Sequence, residues 1–399
     1  MRIVIHDYCG HPFQVELSRE LASRGHQIMH LYCDSNPTTP KGRLTRSPAD
    51  PASLEILPVK LPREIEKGRF FDRWSLERLY GLRLTEAVIK ASPDLVISAN
   101  TPLDAQARLQ AQCHGLRIPF IFWAQDLIGE ATTRILQKKL PLGGSVIGAY
   151  YQIKEKTILR KSDRVIGITE DFAPYFKKAG ILDSRVFTIP NWSPLAEVVP
   201  RSKQNDWAKR FGLDDKFVFL YSGTLGFKHN PSLFLALAEK FRAGPSVRIV
   251  VNSQGDAADW LRRESERLGC DNLQVNPFQP YEEMSNVLAS ADVLLAILEP
   301  EAGRYSVPSK VLSYHCAARP ILLAVPPENL AARIVLGEKT GCVADPGDAE
   351  AFGRIAQDMY DDADGRRDMA LRARRYAEEH FNVAKIAGRF ESIFRNLLN

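Results

Sequence analysis

The sequence predicts an α/β protein built from two doubly wound domains in tandem. Three observations carry this reading. The chain has 399 residues, more than one hydrophobic core usually serves. Short apolar runs alternate with segments of helical spacing along its whole length, the pattern of parallel sheets covered on both faces. The alternation stops once, in the polar, proline-bearing stretch "NWSPLAEVVPRSKQND", and then restarts.

The first half opens with "RIVIH" from Arg2. "FQVELSRELASRGH" follows, with apolar residues at helical spacing and a stop at Gly25, and then "QIMHLYC". Further strands are expected at "DLVIS" from Asp94, "PFIFWAQ" from Pro119, "RVIGIT" from Arg164 and "RVFTIP" from Arg185. After the polar break come "FVFLYS", "VRIVVNS", "NLQVNPF", "DVLLAIL", "PILLAV" and "GCVADP", again with helical segments between them. The end of the chain, from Asp364, is helical and charged.

A net charge of +5 is a mild excess, and no nucleic-acid partner is expected from it. The six cysteines, Cys9, Cys33, Cys113, Cys270, Cys316 and Cys342, are scattered without a C-x-x-C pair. That pattern suggests neither a zinc site nor a disulfide framework and fits a cytoplasmic protein. A strand beginning at Arg2 leaves no room for a signal peptide. No apolar run approaches the roughly 18 residues of a spanning helix.

Ligands of open parallel sheets bind beyond the carboxyl ends of the strands. In the first half those ends carry Gly10 and His11, Asn100, and Gln125 with Asp126. In the second they carry the turn Gly223–Lys228, Asn252, Phe278 with Gln279, and "EPEAGRYSVPSK". The turn lies in "YSGTLGFKHNP", between a strand and a helical segment. Gly223 and Gly226 permit close backbone approach to a ligand. Asn230 and Pro231 suit a helix cap and first turn. Free N–H groups at a helix start favour phosphate, and Lys228 adds a charge. The spacing is neither that of a P-loop nor G-x-G-x-x-G, which argues against a nicotinamide oxidoreductase.

With its tandem domains, its "SGTLGFKHNP" turn and its "SVPSKVLSY" string, the chain resembles the GT-B glycosyltransferases of family 4 over nearly its whole length. The resemblance implies two Rossmann-like domains facing across a cleft. An acceptor domain would cover 1–195, a linker 196–205 and a nucleotide-sugar domain 206–380. A final helix, 381–399, would cross back onto the first domain; the apolar spacing of "AKIAGRFESIFRNLL" also asks for a surface to cover. Implied too are a UDP- or GDP-sugar as donor substrate, no tightly bound cofactor and no required metal. The acceptor would be a glycan or a polyprenyl-linked glycan, the outcome retention of anomeric configuration, and the setting bacterial surface polysaccharide assembly. A nucleotide-sugar 2-epimerase and a non-catalytic nucleotide-sugar binder share this architecture.

The resemblance also distributes roles. Gly223 and Thr224 would hold the donor phosphates, with Lys228 and Lys310 neutralising them. Ser309 would cap the helix after it or bond a phosphate. Phe278 and Gln279 would lie at the base, Gly10 and His11 at the phosphates or acceptor. Asp126 would orient or deprotonate the attacking hydroxyl, with Glu170 a parallel candidate. The family's glutamate pair falls at Tyr305 and Ser313, neither acidic, so Glu301 is the acid placed to reach the donor sugar. Ala318 stands where glycine is usual. The catalytic set is thus Asp126, Lys228, Glu301 and Lys310. The D-x-D string at Asp362–Asp364 reads as a connection between helices, not a metal motif. From Arg69 to Arg83, arginines interleave with Phe70, Phe71, Trp74 and Tyr80. That composition suits peripheral contact with an anionic membrane at its inner face, or a core-facing helix with solvated arginines.

Overall fold

The computed structural model describes residues 1–36, 41–65, 70–139, 143–244, 246–298 and 309–398. The apolar runs form two wholly parallel sheets, one in each of two units. The first unit comprises Met1–Asn191 with Val383–Asn399, and the second Trp192–Asn382.

In the first unit the strands are β1 (Arg2–Asp7), β2 (Gln27–Cys33), β3 (Leu54–Val59), β4 (Leu95–Ala99), β5 (Phe120–Ala124), β6 (Arg164–Gly167) and β7 (Val186–Thr188). Their order is β3-β2-β1-β4-β5-β6-β7. Strand β3 has no counterpart in the sequence reading. Its "LEILPV" contains Pro58 and alternates poorly, which an edge strand tolerates because one side of it needs no ladder partner. Helices α1 (Pro12–Ser23), α2 (Phe70–Ala91), α3 (Leu103–Gly115), α4 (Ile128–Lys139), α5 (Gly144–Lys161) and α6 (Ala173–Lys178) connect the strands.

The terminal helix, Val383–Leu398, buries Ile386, Ala387, Phe390, Ile393 and Phe394, a stripe at helical spacing. It packs against α1. Phe390 meets Trp123 of β5 edge-on at 4.9 Å, and Trp123 meets Phe13 of α1 at 5.8 Å. Glu391 accepts from Arg24 and from His26, each at 3.0 Å.

The second unit orders its strands β10-β9-β8-β11-β12-β13. They are β8 (Phe217–Ser222), β9 (Val247–Asn252), β10 (Leu273–Asn276), β11 (Val293–Ile297), β12 (Ile321–Ala324) and β13 (Gly341–Ala344). Residues 193–201 hydrogen-bond within this unit: Ser193 Oγ lies 3.0 Å from Ser313 Oγ, and the Val199 amide donates to Ser285 Oγ at 3.1 Å. Asp362 caps the helix Ala363–His380 by accepting from the Gly365 amide, so the D-x-D string is a helix junction.

In each sheet the chain reverses its direction of winding beside the first strand, between β1 and β4 and between β8 and β11. Crevices at such points are where open sheets of this kind bind ligands.

Ala318 follows the helix Lys310–Cys316 with φ of +53°. This is the left-handed region, which costs an L-residue roughly 1–2 kcal/mol. Ala318→Gly is therefore expected to stabilise the second unit by about 0.5–1 kcal/mol, once the larger unfolded-state entropy of glycine is subtracted. Chemical denaturation would measure this; a loss of stability would mean that the Ala318 methyl packs usefully.

Candidate active site

In the second unit the site is built around the end of β8. Gly223 takes φ of +136°, and a Cβ there would stand 3.2 Å from Lys310 Cε and 3.8 Å from Nζ. Lys310 thus lies across the face of a residue that must lack a side chain. Its ammonium donates to Tyr221 Oη at 2.9 Å and sits 4.3 Å from the ring centroid. Tyr221 in turn donates to the Thr224 carbonyl at 2.6 Å. Tyr221 is fully buried, and burial pushes its phenol well above its ordinary value, so it remains a neutral partner.

The amides of the turn are largely spent inside the protein. Gly223 donates to the Asn252 carbonyl at 3.0 Å, Leu225 to Ser253 Oγ at 3.0 Å, and Gly226 to His229 Nδ1 at 2.8 Å. Among the described residues the Thr224 amide takes no acceptor. Asn230 does not cap a helix. It ends a short 3-10 turn, Phe227–His229, in the left-handed conformation at φ +40°, and the following helix is Ser232–Lys240. Its side-chain Nδ2 donates to the Pro346 carbonyl at 3.0 Å. The same short polar side chain that suits a cap also tolerates left-handed geometry, and here the second use prevails. The Lys228 side chain and Glu301 lie outside the description.

Ser309 is exposed at the start of the helix Lys310–Cys316 and makes no side-chain cap. Phe278 is half-buried after β10. Gln279 accepts from Trp207 Nε1 at 2.9 Å and donates to the Pro277 carbonyl at 2.9 Å. Its side chain therefore anchors α7 (Asp206–Arg210), an assignment hidden in sequence because Trp207 lies far upstream.

In the first unit Gly10 has φ of +74°, but what approaches it is the protein itself. A Cβ would strike Leu44 at 2.8 Å, and the Gly10 carbonyl accepts from the Gly42 amide at 2.9 Å. The left-handed φ and the Leu44 contact are thus reasons for a glycine here that hold without any ligand.

Beside it stands a polar cluster at the ends of the adjacent strands β1, β4 and β5. Asp7, at the end of β1, is fully buried. It accepts from the Cys9 amide at 3.0 Å, Asn100 Nδ2 at 3.1 Å, the His11 amide, and His11 Nδ1 at 3.3 Å. Asp7 was not among the sequence candidates; an acid ending an apolar strand just before "YCGH" was its only signal. Burial would raise its carboxyl, but the His11 charge and these hydrogen bonds outweigh burial and hold it at about 2. Burial pulls the His11 imidazole down, Asp7 more than reverses this, and Asp126 adds to the rise. His11 is thus held above its ordinary 6.5, with Nδ1–H turned to Asp7. Asp126 is exposed just beyond β5. Glu170 is also exposed, in a short turn capped by Thr169.

Asp7, Cys9 and His11 bring one ligand atom each within 4.8 Å of one another. Both oxygens of Asp7 are already committed to protein donors, so this set does not suit a divalent ion.

The pair has a pH signature. The raised His11 contributes stability that is fully present below about pH 6.5 and lost as pH rises through its folded value. The depressed Asp7 contributes stability present above 3.8 and lost as pH falls through about 2. Asp7→Asn is expected to lower the His11 titration midpoint, read by NMR of the imidazole carbons. An unchanged midpoint would show that Asp7 does not govern this histidine.

Two families match the chain, one on each unit: "Glycosyl transferase 4-like domain" over residues 11–192 and "Glycosyl transferases group 1" over residues 203–376. WcaI of Escherichia coli (strain K12), a protein named for a role as a colanic acid biosynthesis glycosyl transferase, is 27% identical over 160 residues. That match spans 39% of this chain and 39% of WcaI. Among solved structures, sucrose-phosphate synthase (tll1590) of Thermosynechococcus elongatus superposes with a TM-score of 0.72 at 16% identity, covering 100% of this chain and 99% of its own. HepE of Anabaena, in complex with UDP-glucose, gives a TM-score of 0.70 at 14% identity, covering 99% and 100%. At such identities these structures speak for the fold, while the matched families speak for descent. Taken with the two parallel sheets, they show that the chain belongs to the GT-B glycosyltransferases of the family 4 type.

Proposed function

We propose that this protein transfers a sugar, with retention, from a UDP- or GDP-sugar to a glycan or polyprenyl-linked acceptor during assembly of bacterial surface polysaccharide. The observation that carries the reading is the Lys310 ammonium lying over Gly223, at the winding reversal of the second sheet. In the reaction the bond from the anomeric carbon to the phosphate oxygen breaks and its electron pair stays on the phosphate. A fixed cation beside that oxygen stabilises the charge as it develops. Lys228, from the same turn, is the second cation, Thr224 supplies an amide, and Glu301 contacts the donor sugar. Phe278 and Gln279 stand near the base; with the Gln279 side chain engaged by Trp207, base contacts there fall to backbone atoms. No cofactor or metal is assigned a role.

The first unit supplies the acceptor side. An acceptor hydroxyl forms the new bond to the anomeric carbon and gives up its proton. Asp126 is the exposed carboxylate placed to orient it, and His11, fixed by Asp7, presents Nε2 as the neighbouring polar contact. The names of relatives support the polysaccharide setting: WcaI is named for colanic acid biosynthesis, and WaaG, a fold relative, for lipopolysaccharide biosynthesis. Residence at the inner face of the membrane belongs to the same proposal. Among the described residues no helix is long and apolar enough to cross a membrane.

The test is incubation with labelled UDP- and GDP-sugars, with and without lipid-linked acceptors, alongside thermal shift with UDP and GDP. Acceptor-dependent transfer of label, with the donor's anomeric configuration kept in the product, is the expected result. An epimerised free sugar formed without acceptor would favour the epimerase. Stabilisation by UDP or GDP with no turnover across the panel would favour a binding protein.

A further inference from the structure

We infer that the helical layer α2–α3–α5 of the first unit is the surface by which the protein lies on an anionic bilayer, with α5 as the element that enters the interface. On α5, Val146, Tyr150 and Ile153 stand one turn apart on a single face and are 72%, 53% and 63% exposed. The opposite face, with Gly148, Glu155, Ile158 and Leu159, is buried. The outward row is therefore not core. Large side chains so exposed in sequence-regular order mark a contact surface rather than scattered surface apolars.

The charge of the helix says what kind. Its basic residues are Lys154, Lys156, Arg160 and Lys161, and its one acid, Glu155, is buried. Arg160 and Lys161 continue the apolar face by a further turn, and the Lys154 ammonium lies 4.4 Å from the Tyr150 ring centroid. Apolar side chains ringed by long cationic ones, whose stems cover apolar surface while their heads reach outward, fit an anionic lipid interface. A groove of about 300 Å³ between α3 and α5, walled by Ala107, Ala111 and Ile158, widens this surface.

The layer extends to α2, which packs on α3. There the sequence-expected segment is partly spoken for. Tyr80 is buried with its hydroxyl 2.8 Å from His6, Arg73 is paired with Glu77 at 2.7 Å, and Arg83 donates to the Lys60 carbonyl. Arg69 and the side chains of Phe70 and Phe71 lie outside the description. What α2 adds outward is Trp74 with Arg78 stacked on it at 4.7 Å, together with Leu82 and Ile89. Asp104 of α3, an acid on this surface, is engaged by Trp74, Tyr151 and Lys154, while Glu86 of α2 is exposed between Leu82 and Ile89 and confines the contact to the α5 side. The contact is thus centred on α5, with α2 at its margin.

The test needs no sugar donor, so it stands or falls apart from the catalytic reading. The full chain is sedimented with vesicles of phosphatidylcholine alone, or with roughly a third phosphatidylglycerol. Binding is expected only with the anionic lipid and should weaken as salt is added, since exposed charges are screened over about 10 Å at 0.1 M. Val146→Glu with Ile153→Glu should lower the bound fraction about tenfold or more while leaving the thermal midpoint unchanged. Tyr150→Ser with Ile153→Ser is the milder pair should the first fail to fold. Arg78→Glu should have a smaller effect. Trp74 emission should shift to the blue on anionic vesicles and not in Trp74→Phe. Wild-type binding by the folded double variants, or binding indifferent to lipid charge and salt, would overturn the inference. So would loss of a dimer in those variants with vesicle binding intact, because the face would then serve a second copy.

Discussion

Lys310→Ala is expected to lower sugar transfer by about ten- to more than a hundredfold while the second unit stays folded. The lost interaction is a charge-assisted bond to an anion, worth about 1.5–3 kcal/mol, and each 1.36 kcal/mol of barrier is tenfold in rate. The fold should persist because the side chain is only half-buried, and Tyr221 keeps its bond to the Thr224 carbonyl. Lys310→Arg should recover part of the activity. A guanidinium is wider than an ammonium and must share the narrow space over Gly223. Gly223→Val should fail for a different reason: its side chain would sit 3.2 Å from Lys310 Cε, on a backbone at φ +136°. Lys228→Ala, which removes the other cation, carries the same expected range as Lys310→Ala. Turnover and nucleoside diphosphate affinity would be measured together, with circular dichroism as the check on folding. Unchanged turnover and unchanged affinity in Lys310→Ala would place the phosphate site elsewhere.

Phe390→Ala is expected to destabilise the first unit by about 3–5 kcal/mol, the usual cost of removing a buried aromatic ring. Phe390 is fully buried and sits against Trp123, which bridges to Phe13. The cavity would open between the terminal helix, β5 and α1. Hydrogen exchange at the β1 and β5 amides should report it locally, without requiring the two units to unfold together. Phe390→Leu keeps most of the volume and should cost less. A loss below about 1 kcal/mol in Phe390→Ala would mean that this helix rests on the unit without completing its core.

The parts legible in sequence are those where burial dictates composition. β1, β4, β5, β8, β11 and β12 are buried nearly throughout and read as continuous apolar runs. β3 was illegible because an edge strand may carry Pro58 and Glu55. At the candidate site, the Gly223 turn and Lys310 stood out in sequence by residue type, and the fold brings the two together. Other roles depend on residues distant in the chain. Gln279 bonds Trp207, and Gly10 packs against Leu44 and Gly42, contacts that no local pattern announces. Asp7 shows its importance only when His11 and Asn100 arrive from other segments. Asn230 illustrates a different limit, since one side chain serves both a helix cap and a left-handed turn.

The division of the chain between its units has a consequence for how the protein is made. The second unit is contiguous, whereas the first needs residues from Val383 onward. During synthesis the first unit emerges early but must wait for its last helix. At about 5–20 residues per second, the ribosome takes roughly 10–40 s to travel from Asn191 to the end of that helix. Through that interval Phe13 and Trp123 face the solvent where Phe390 will later lie. The nascent chain thus carries an unclosed aromatic seam while the whole of its second unit is being made. Stalled or truncated chains would keep that seam open, so they are the forms most exposed to chaperone capture and aggregation.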